Sequence, residues 1–408
     1  MRLGPHAEIR IGTLAAVRST LSHGLDASLG MAASLRAWRY ARRGDGTAPW
    51  PCLHVSLDLT YRCNLRCAMC FLYGRHLDGA NPRRAERAAL RELTAEEWCA
   101  TIDHLAEGGV RSLVMTGGEV MLKRGFLDVL EHAVRAGMAV SVLSNGTVWS
   151  DTDIERLVTI GPALVRFSLD GDGAVHDDIC RRPAFDRLIT TLERLQHARR
   201  RHGATRPRVA FETILQHANQ RALSAIVDVA ARYGVAEVLV SNIFFVPWGN
   251  GASAPSGDVS DGHGQTTRAI EPELYDVDPA VAAAELQAAR DLARARGVRL
   301  TSRLRHSGDV AAIYGDPEYS FLDKCFYPWM VARIDPFGRV IPCTGSRMPL
   351  GSVRDTPFEQ IWNGAAYRSL RRGLAAARLF PECVKCNTLA GSRWACWNWL
   401  PPAAESRP

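Results

Sequence analysis

Tyr61-Arg-Cys-Asn-Leu-Arg-Cys-Ala-Met-Cys-Phe71 sets three thiols, Cys63, Cys67 and Cys70, within eight residues, directly after the largely apolar run 55–59. Three soft ligands this close together mark a metal or redox site. A [4Fe–4S] cube has four irons, so three thiolates anchor three of them and leave the fourth open to a ligand that is not protein. The alternative is structural zinc, whose tetrahedral closure needs a fourth ligand nearby, for which His54 and His76 are available.

Outward from this loop, apolar runs alternate with helical periodicity. Strands are expected at 55–59, 112–115, 139–143, 164–169, 208–213 and 237–243. Helices are expected from near Thr94, where Thr94-x-x-Glu97 fits a capping box, and at 126–136, 152–158, 186–200 and 220–233. Strands alternating with helices demand a parallel sheet with helices outside it. The fold class is therefore α/β, a partial (β/α)6 TIM-type barrel followed by a small C-terminal domain. Functional groups in such folds collect at the carboxyl ends of the strands. Here the first strand ends at the cysteine loop, the second at Thr116-Gly117-Gly118-Glu119, the third at Ser144-Asn145-Gly146 and the fourth at Ser168-Leu169-Asp170-Gly171. The fifth ends at Thr213, and the sixth runs into Asn242, Phe244 and Phe245, expected as core or wall residues.

In this order, the three-cysteine loop and the Gly-Gly-Glu segment resemble the radical S-adenosylmethionine (SAM) superfamily. The resemblance implies a [4Fe–4S] cluster on Cys63, Cys67 and Cys70 whose open iron is chelated by SAM. An electron, from a donor such as flavodoxin or ferredoxin, then cleaves SAM to methionine and a 5′-deoxyadenosyl radical that abstracts hydrogen from a substrate. It also implies SAM contacts: Gly117, Gly118 and Glu119 at the amino group, Ser144 and Asn145 near the methionyl group, and Ser168 and Asp170 at the ribose or carboxylate. Met69 stands where the family usually has an aromatic residue, and a thioether can lie against an adenine face. His176-Asp177 with Phe185-Asp186 resembles a pattern of the subgroup with extra clusters, within which Cys180 replaces an Arg common in relatives.

A second cysteine group follows. Cys325 and Cys343 flank a segment, 332–342, that reads as a hairpin turning at Asp335-Pro336-Phe337-Gly338, and after a helix at 359–374 comes Cys383-x-x-Cys386. Four thiolates can close a cube completely, although the same spacing suits a zinc ribbon. The group resembles the SPASM and twitch domains, which implies one auxiliary [4Fe–4S] cluster on Cys325, Cys343, Cys383 and Cys386. Cys52 and Cys99 read as ordinary buried thiols. Cys180 is a candidate hydrogen-atom donor, and Cys396, within Trp394-Ala-Cys-Trp-Asn-Trp399, a candidate ligand or hydrogen-atom donor.

The 408 residues, 47% hydrophobic, suffice for a large α/β domain and a smaller one. The net charge of +7 rests almost wholly on Arg, since only Lys123, Lys324 and Lys385 are lysines. The arginines are dispersed among acids, which argues against a nucleic-acid partner, and arginine cannot serve as a base. The expected organisation is an N-terminal helical extension over 1–50 with a basic helix at 9–43, a core over 51–246, a flexible insertion at 247–275, a connecting helix and strand at 276–318, and the auxiliary domain over 319–408. Without a signal pattern or a run long enough to span a bilayer, eleven cysteines point to a reducing cytoplasm. The expected substrate is a small polar molecule, a sugar or aminocyclitol, oxidised with the auxiliary cluster as electron acceptor. The alternatives are an epimerase that quenches its radical with the Cys180 or Cys396 thiol, a peptide-modifying enzyme, and a non-catalytic metal-binding protein.

Overall fold

The strand that delivers the cysteine loop, β1 (His54–Thr60), alternates Val55, Leu57 and Leu59 with His54, Ser56, Asp58 and Thr60. A period of two gives it one apolar and one polar face. The apolar face joins the main hydrophobic core, so the sheet's polar face is turned away from the helices that cover it. The structure, a computed structural model, describes residues 35–70, 72, 90–243, 276–302, 304, 307–316, 319, 324–344, 346, 348–380, 383 and 386. The expected helix before residue 35, His76, Phe244, Phe245, the insertion at 247–275 and Cys396 lie outside these residues.

From β1 the chain runs through α1 (Ala95–Glu107), β2 (Ser112–Gly117), α2 (Phe126–Arg135), β3 (Ala139–Ser144), α3 (Asp151–Ile160) and β4 (Leu164–Ser168). It continues with α4 (Gly173–Cys180), α5 (Phe185–Arg201), β5 (Arg208–Leu215), α6 (Leu223–Arg232) and β6 (Glu237–Asn242). The capping box that opens α1 is formed, with Thr94 and Glu97 exchanging bonds. A second one, Ser150 with Asp153, opens α3. Each of β1 to β6 pairs in parallel with the next, as the alternation of strands and helices requires.

Two additions extend the expected six strands into one nine-stranded sheet of order β7-β6-β5-β4-β3-β2-β1-β8-β9. After α7 (Pro279–Arg296), β7 (Arg299–Ser302) pairs in parallel with β6, so the connecting helix and strand form a seventh unit of the barrel, followed by α8 (Ser307–Gly315). At the other edge, β8 (Val331–Ile334) lies parallel to β1 and turns at Asp335–Gly338 into the antiparallel β9 (Val340–Ile341). The hairpin expected in a separate domain thus satisfies the open backbone groups of β1, which would otherwise be an exposed sheet edge.

The end of the expected N-terminal extension packs into the same region. α9 (Phe358–Trp362) and α10 (Ala365–Ala377) replace the single helix expected at 359–374. The break falls at Asn363, whose side-chain amide accepts from the Ala48 N–H at 2.9 Å and donates to the Ala48 carbonyl at 3.1 Å. The indoles of Trp329 and Trp362 donate to the Thr47 and Pro49 carbonyls at 3.0 and 2.9 Å. Arg371, fully buried and lying over the Trp362 and Tyr367 rings, donates to the carbonyls of Pro328, Trp362 and Gly46. Among the described residues no helix is long and apolar enough to cross a membrane.

Candidate active site at the carboxyl ends of the strands

The two glycines at the carboxyl end of β2, Gly117 within it and Gly118 just after, are held against the start of the cysteine loop. Gly118 N–H donates to the Thr60 carbonyl at 2.7 Å, and Glu119 N–H to the Arg62 carbonyl at 2.8 Å. A Cβ on Gly117 would stand 2.3 Å from the Thr60 carbonyl oxygen, and one on Gly118 2.1 Å from that of Arg62. Gly117 also has φ +131, open only to glycine. The close approach these glycines allow is thus to the protein's own backbone. From the other side, Glu92 accepts from the Thr60 hydroxyl at 2.9 Å and the Tyr61 N–H at 3.0 Å.

Glu119 is fully buried. Its carboxylate accepts from the Ser144 hydroxyl at 2.7 Å, the Asn145 N–H at 2.7 Å and the Met121 N–H at 3.3 Å. Burial raises its pKa, against the lowering effect of these donors. Ser144 in turn accepts from Gly146 N–H and the Trp149 indole at 3.0 and 2.9 Å. Glu119 and Ser144 thus brace the ends of β2 and β3 against each other. Asn145 links this corner to the cysteine loop: its amide donates to Asn64 Oδ1 at 2.9 Å and lies 3.9 Å from Cys63 Sγ.

At the end of β4, Ser168 is exposed but Asp170 is not. Asp170 Oδ1 accepts from Ile214 N–H at 2.9 Å and the Thr213 hydroxyl at 3.2 Å, pinning β4 to β5. Cys180 is buried, 3.8 Å from Cys67 Sγ and beside the His176 ring, 3.6 Å from its Nε2 and 4.0 Å from its Nδ1. The other candidate donor, Cys396, lies outside the described residues. Met69 joins Ala68, Ile214, Ile243 and Tyr314 in a small apolar patch beyond the ends of β5 and β6.

The thiols suit an iron–sulfur donor set. Burial pushes Cys63 up to about 12, with Cys70, Glu119 and Cys67 close enough to raise it further and the Leu65 N–H opposing. Cys325 is raised by burial and by the nearby Cys383, Cys386 and Cys343. Thiols that burial and mutual repulsion hold neutral ionise when a cation stands between them.

The polar face of the sheet carries charges that sequence reasoning passed over. Arg333 on β8 pairs with the buried Asp58 on β1 at 2.6 Å. Arg166 on β4 lies 3.8 Å from Glu212 on β5, which also accepts from the Ser241 hydroxyl at 3.1 Å. Their signal was present in the chain: a charged residue amid an apolar parallel strand, at the positions that alternate away from the core.

Comparison with known proteins matches the radical SAM superfamily over residues 57–213 and SPASM, an iron–sulfur cluster-binding domain, over residues 325–387. The PqqA peptide cyclase of Granulibacter bethesdensis is 24% identical over 337 residues, 79% of this chain and 77% of that protein. The pre-heme d1 synthase of Dinoroseobacter shibae is 25% identical over 328 residues, 76% of this chain and 73% of that protein. The sporulation killing factor maturation protein SkfB of Bacillus subtilis reaches 31% over 147 residues, but the match spans only 36% of this chain and 33% of that relative. Among solved structures, Streptococcus suis SuiB bound to the precursor peptide SuiA shares the fold, with a TM-score of 0.59 at 14% identity over 96% of this chain and 78% of that one. With three thiols after β1, four more around the β8–β9 hairpin, and both groups inside the matched domains in the same order, this chain belongs to the radical SAM superfamily, binds SAM and iron–sulfur clusters, and carries a SPASM domain after its barrel.

Proposed function

We propose that this enzyme modifies a peptide. The observation that carries the reading is the extent of the match to a peptide cyclase, 79% of this chain and both cluster-binding regions in order. SkfB, a maturation protein, and SuiB, solved with a precursor peptide, support it. None of these relatives is named for a sugar or an aminocyclitol, and they support peptide modification, the alternative read from the sequence, better than that substrate. In our assignment Cys63, Cys67 and Cys70 hold the SAM cluster, and Cys325, Cys343, Cys383 and Cys386 hold one auxiliary cluster. When bound, SAM and its cluster supply a carbon radical that removes hydrogen from the substrate.

The chain's own residues position that substrate. A peptide presents alternating N–H and C=O groups, and on the polar face the exposed Ser168 hydroxyl and the Glu212 carboxylate can meet them, with Arg166 and the Ser241 hydroxyl buried behind Glu212. Glu212 keeps 15% of its side chain exposed, so its carboxylate can meet a donor from the ligand.

The test is anaerobic incubation of the reconstituted enzyme with reductant, SAM and deuterated synthetic peptides encoded by short reading frames beside its gene. Deuterium moving from a peptide into 5′-deoxyadenosine is expected. Transfer from a pre-heme d1 precursor or an aminocyclitol, and from no peptide, would overturn the proposal.

A further inference from the structure

We infer that the exposed arginine surface formed by residues 36–43 and by α10 docks a small acidic one-electron carrier protein beside the second cysteine group. The inference rests on the assignment of Cys325, Cys343, Cys383 and Cys386 to an auxiliary cluster. The stretch 35–41 is helical and buries Ala37, while Leu35, Arg36, Trp38, Arg39, Arg42 and Arg43 turn outward. Leu35 and Trp38, 44% and 39% exposed, are with Leu90 the exposed large apolar side chains among the described residues. The Arg42 guanidinium lies over the Trp38 ring, 4.8 Å from its centre. α10 adds the exposed Arg368 and Arg372 to the same surface. Gly46 lies so close to α10 that a Cβ there would stand 2.1 Å from the Arg368 carbonyl oxygen. Asp45, whose carboxylate accepts from the Thr47 hydroxyl and N–H, stands within reach of the charges of both Arg43 and Arg368.

Elsewhere on the surface, arginines such as Arg91, Arg156 and Arg201 are paired with carboxylates. Among the described residues, none of Arg36, Arg39, Arg42, Arg43, Arg368 and Arg372 forms an ion pair. An apolar centre ringed by unpaired positive charge suits a protein with an acidic face, because the charges steer the encounter and the aromatic supplies a desolvated contact. What lies behind the patch singles out an electron carrier. The Thr47 carbonyl accepts from the Trp329 indole at 3.0 Å, the Trp329 and Phe326 ring centres are 6.4 Å apart, and Phe326 follows Cys325 in the chain. Electron exchange falls steeply with distance, and these contacts lead from the patch to a cluster ligand without a break. One electron leaves the reduced carrier, which becomes oxidised, and is taken up at the auxiliary cluster; no bond forms or breaks and no proton moves.

The experiment uses an acidic plant-type [2Fe–2S] ferredoxin as probe and the full-length, anaerobically reconstituted protein. Calorimetry gives the binding constant at several salt concentrations, and stopped-flow absorbance gives the rate at which the reduced ferredoxin is reoxidised. Binding should weaken as salt rises. The pairs Arg39→Glu with Arg42→Glu, and Arg368→Glu with Arg372→Glu, should each raise Kd about tenfold or more and slow reoxidation, with circular dichroism unchanged. Arg200→Glu with Arg232→Glu, the same charge change at exposed positions of α5 and α6, should leave Kd in place. Cys343→Ala should keep the binding and slow the reoxidation. A Kd that neither arginine pair alters, or that the α5 and α6 pair raises equally, overturns the docking face. So does binding to phosphatidylglycerol vesicles or to a second copy of this chain, lost in the arginine pairs, with none to the ferredoxin. If the unaltered protein holds about four irons, no more than Cys343→Ala, the auxiliary-cluster assignment fails instead, whatever the binding shows.

Discussion

Glu119 connects the ends of two strands through one carboxylate, and its replacement separates a bracing role from direct ligand contact. Glu119→Ala leaves the Ser144 hydroxyl proton and the Asn145 N–H without their acceptor in a buried corner. The expected cost is about 1–3 kcal/mol in chemical denaturation, with SAM binding weakened through the Asn145–Asn64 link to the cysteine loop. The pH dependence has a definite sign. Burial raises the folded-state pKa of Glu119, so the folded protein holds its proton to higher pH than the unfolded chain. Its contribution is full below the ordinary glutamate range and is lost as pH rises through the folded value. The stability difference between the unaltered protein and the alanine variant should therefore shrink with rising pH across that window. A difference that grows would contradict the assignment.

At the scale of elements, the capping box of α1 does more than begin a helix. Glu97 accepts from the Thr94 N–H and from two Arg91 nitrogens, each at 2.7 Å, and from Arg354 beyond the β8–β9 hairpin at 3.0 Å. The Arg91 guanidinium foremost, with Thr94 N–H and Arg354, holds its carboxyl at about 2. Glu97→Gln is expected to lower stability near neutral pH by about 1 kcal/mol, the usual worth of a cap. Because the folded pKa is depressed, that difference is present above the ordinary glutamate value and fades as pH falls toward about 2. Unfolding curves at several pH values check it, and added salt should narrow the gap because these groups are partly exposed.

Across the whole molecule, the pairing of β8 with β1 makes the barrel and the region of the second cysteine group one sheet. Asp58 and Arg333 lie across that seam, one on each strand, both buried. Asp58→Ala strands a buried guanidinium and is expected to cost about 3–5 kcal/mol. Replacing both, as in Asp58→Leu with Arg333→Met, should cost less than the single change. Loss of helical circular dichroism and of cluster absorbance should coincide in one unfolding transition. Two separated transitions would show that the seam does not couple the two regions.

The local chemistry was legible in the chain: three thiols in eight residues, Gly-Gly-Glu after the second strand, and six strands alternating with helices. These follow from periodicity and ligand spacing, which act over a few residues and leave their pattern in the sequence. What Glu119, Ser144 and Asp170 touch was not legible, because their partners lie across strand ends and the same residue types suit a ligand or a neighbouring strand equally well. Nor was the placement of β7 and β8 on the two edges of the sheet, or the docking of residues 46–50 on α9 and α10, since backbone pairing across long separations carries no residue code. Cys180 shows the division most sharply. Its thiol was evident in the sequence, but only the packing of α4 against the cysteine loop decided that this sulfur stands 3.8 Å from Cys67, buried among the groups that hold the loop in place.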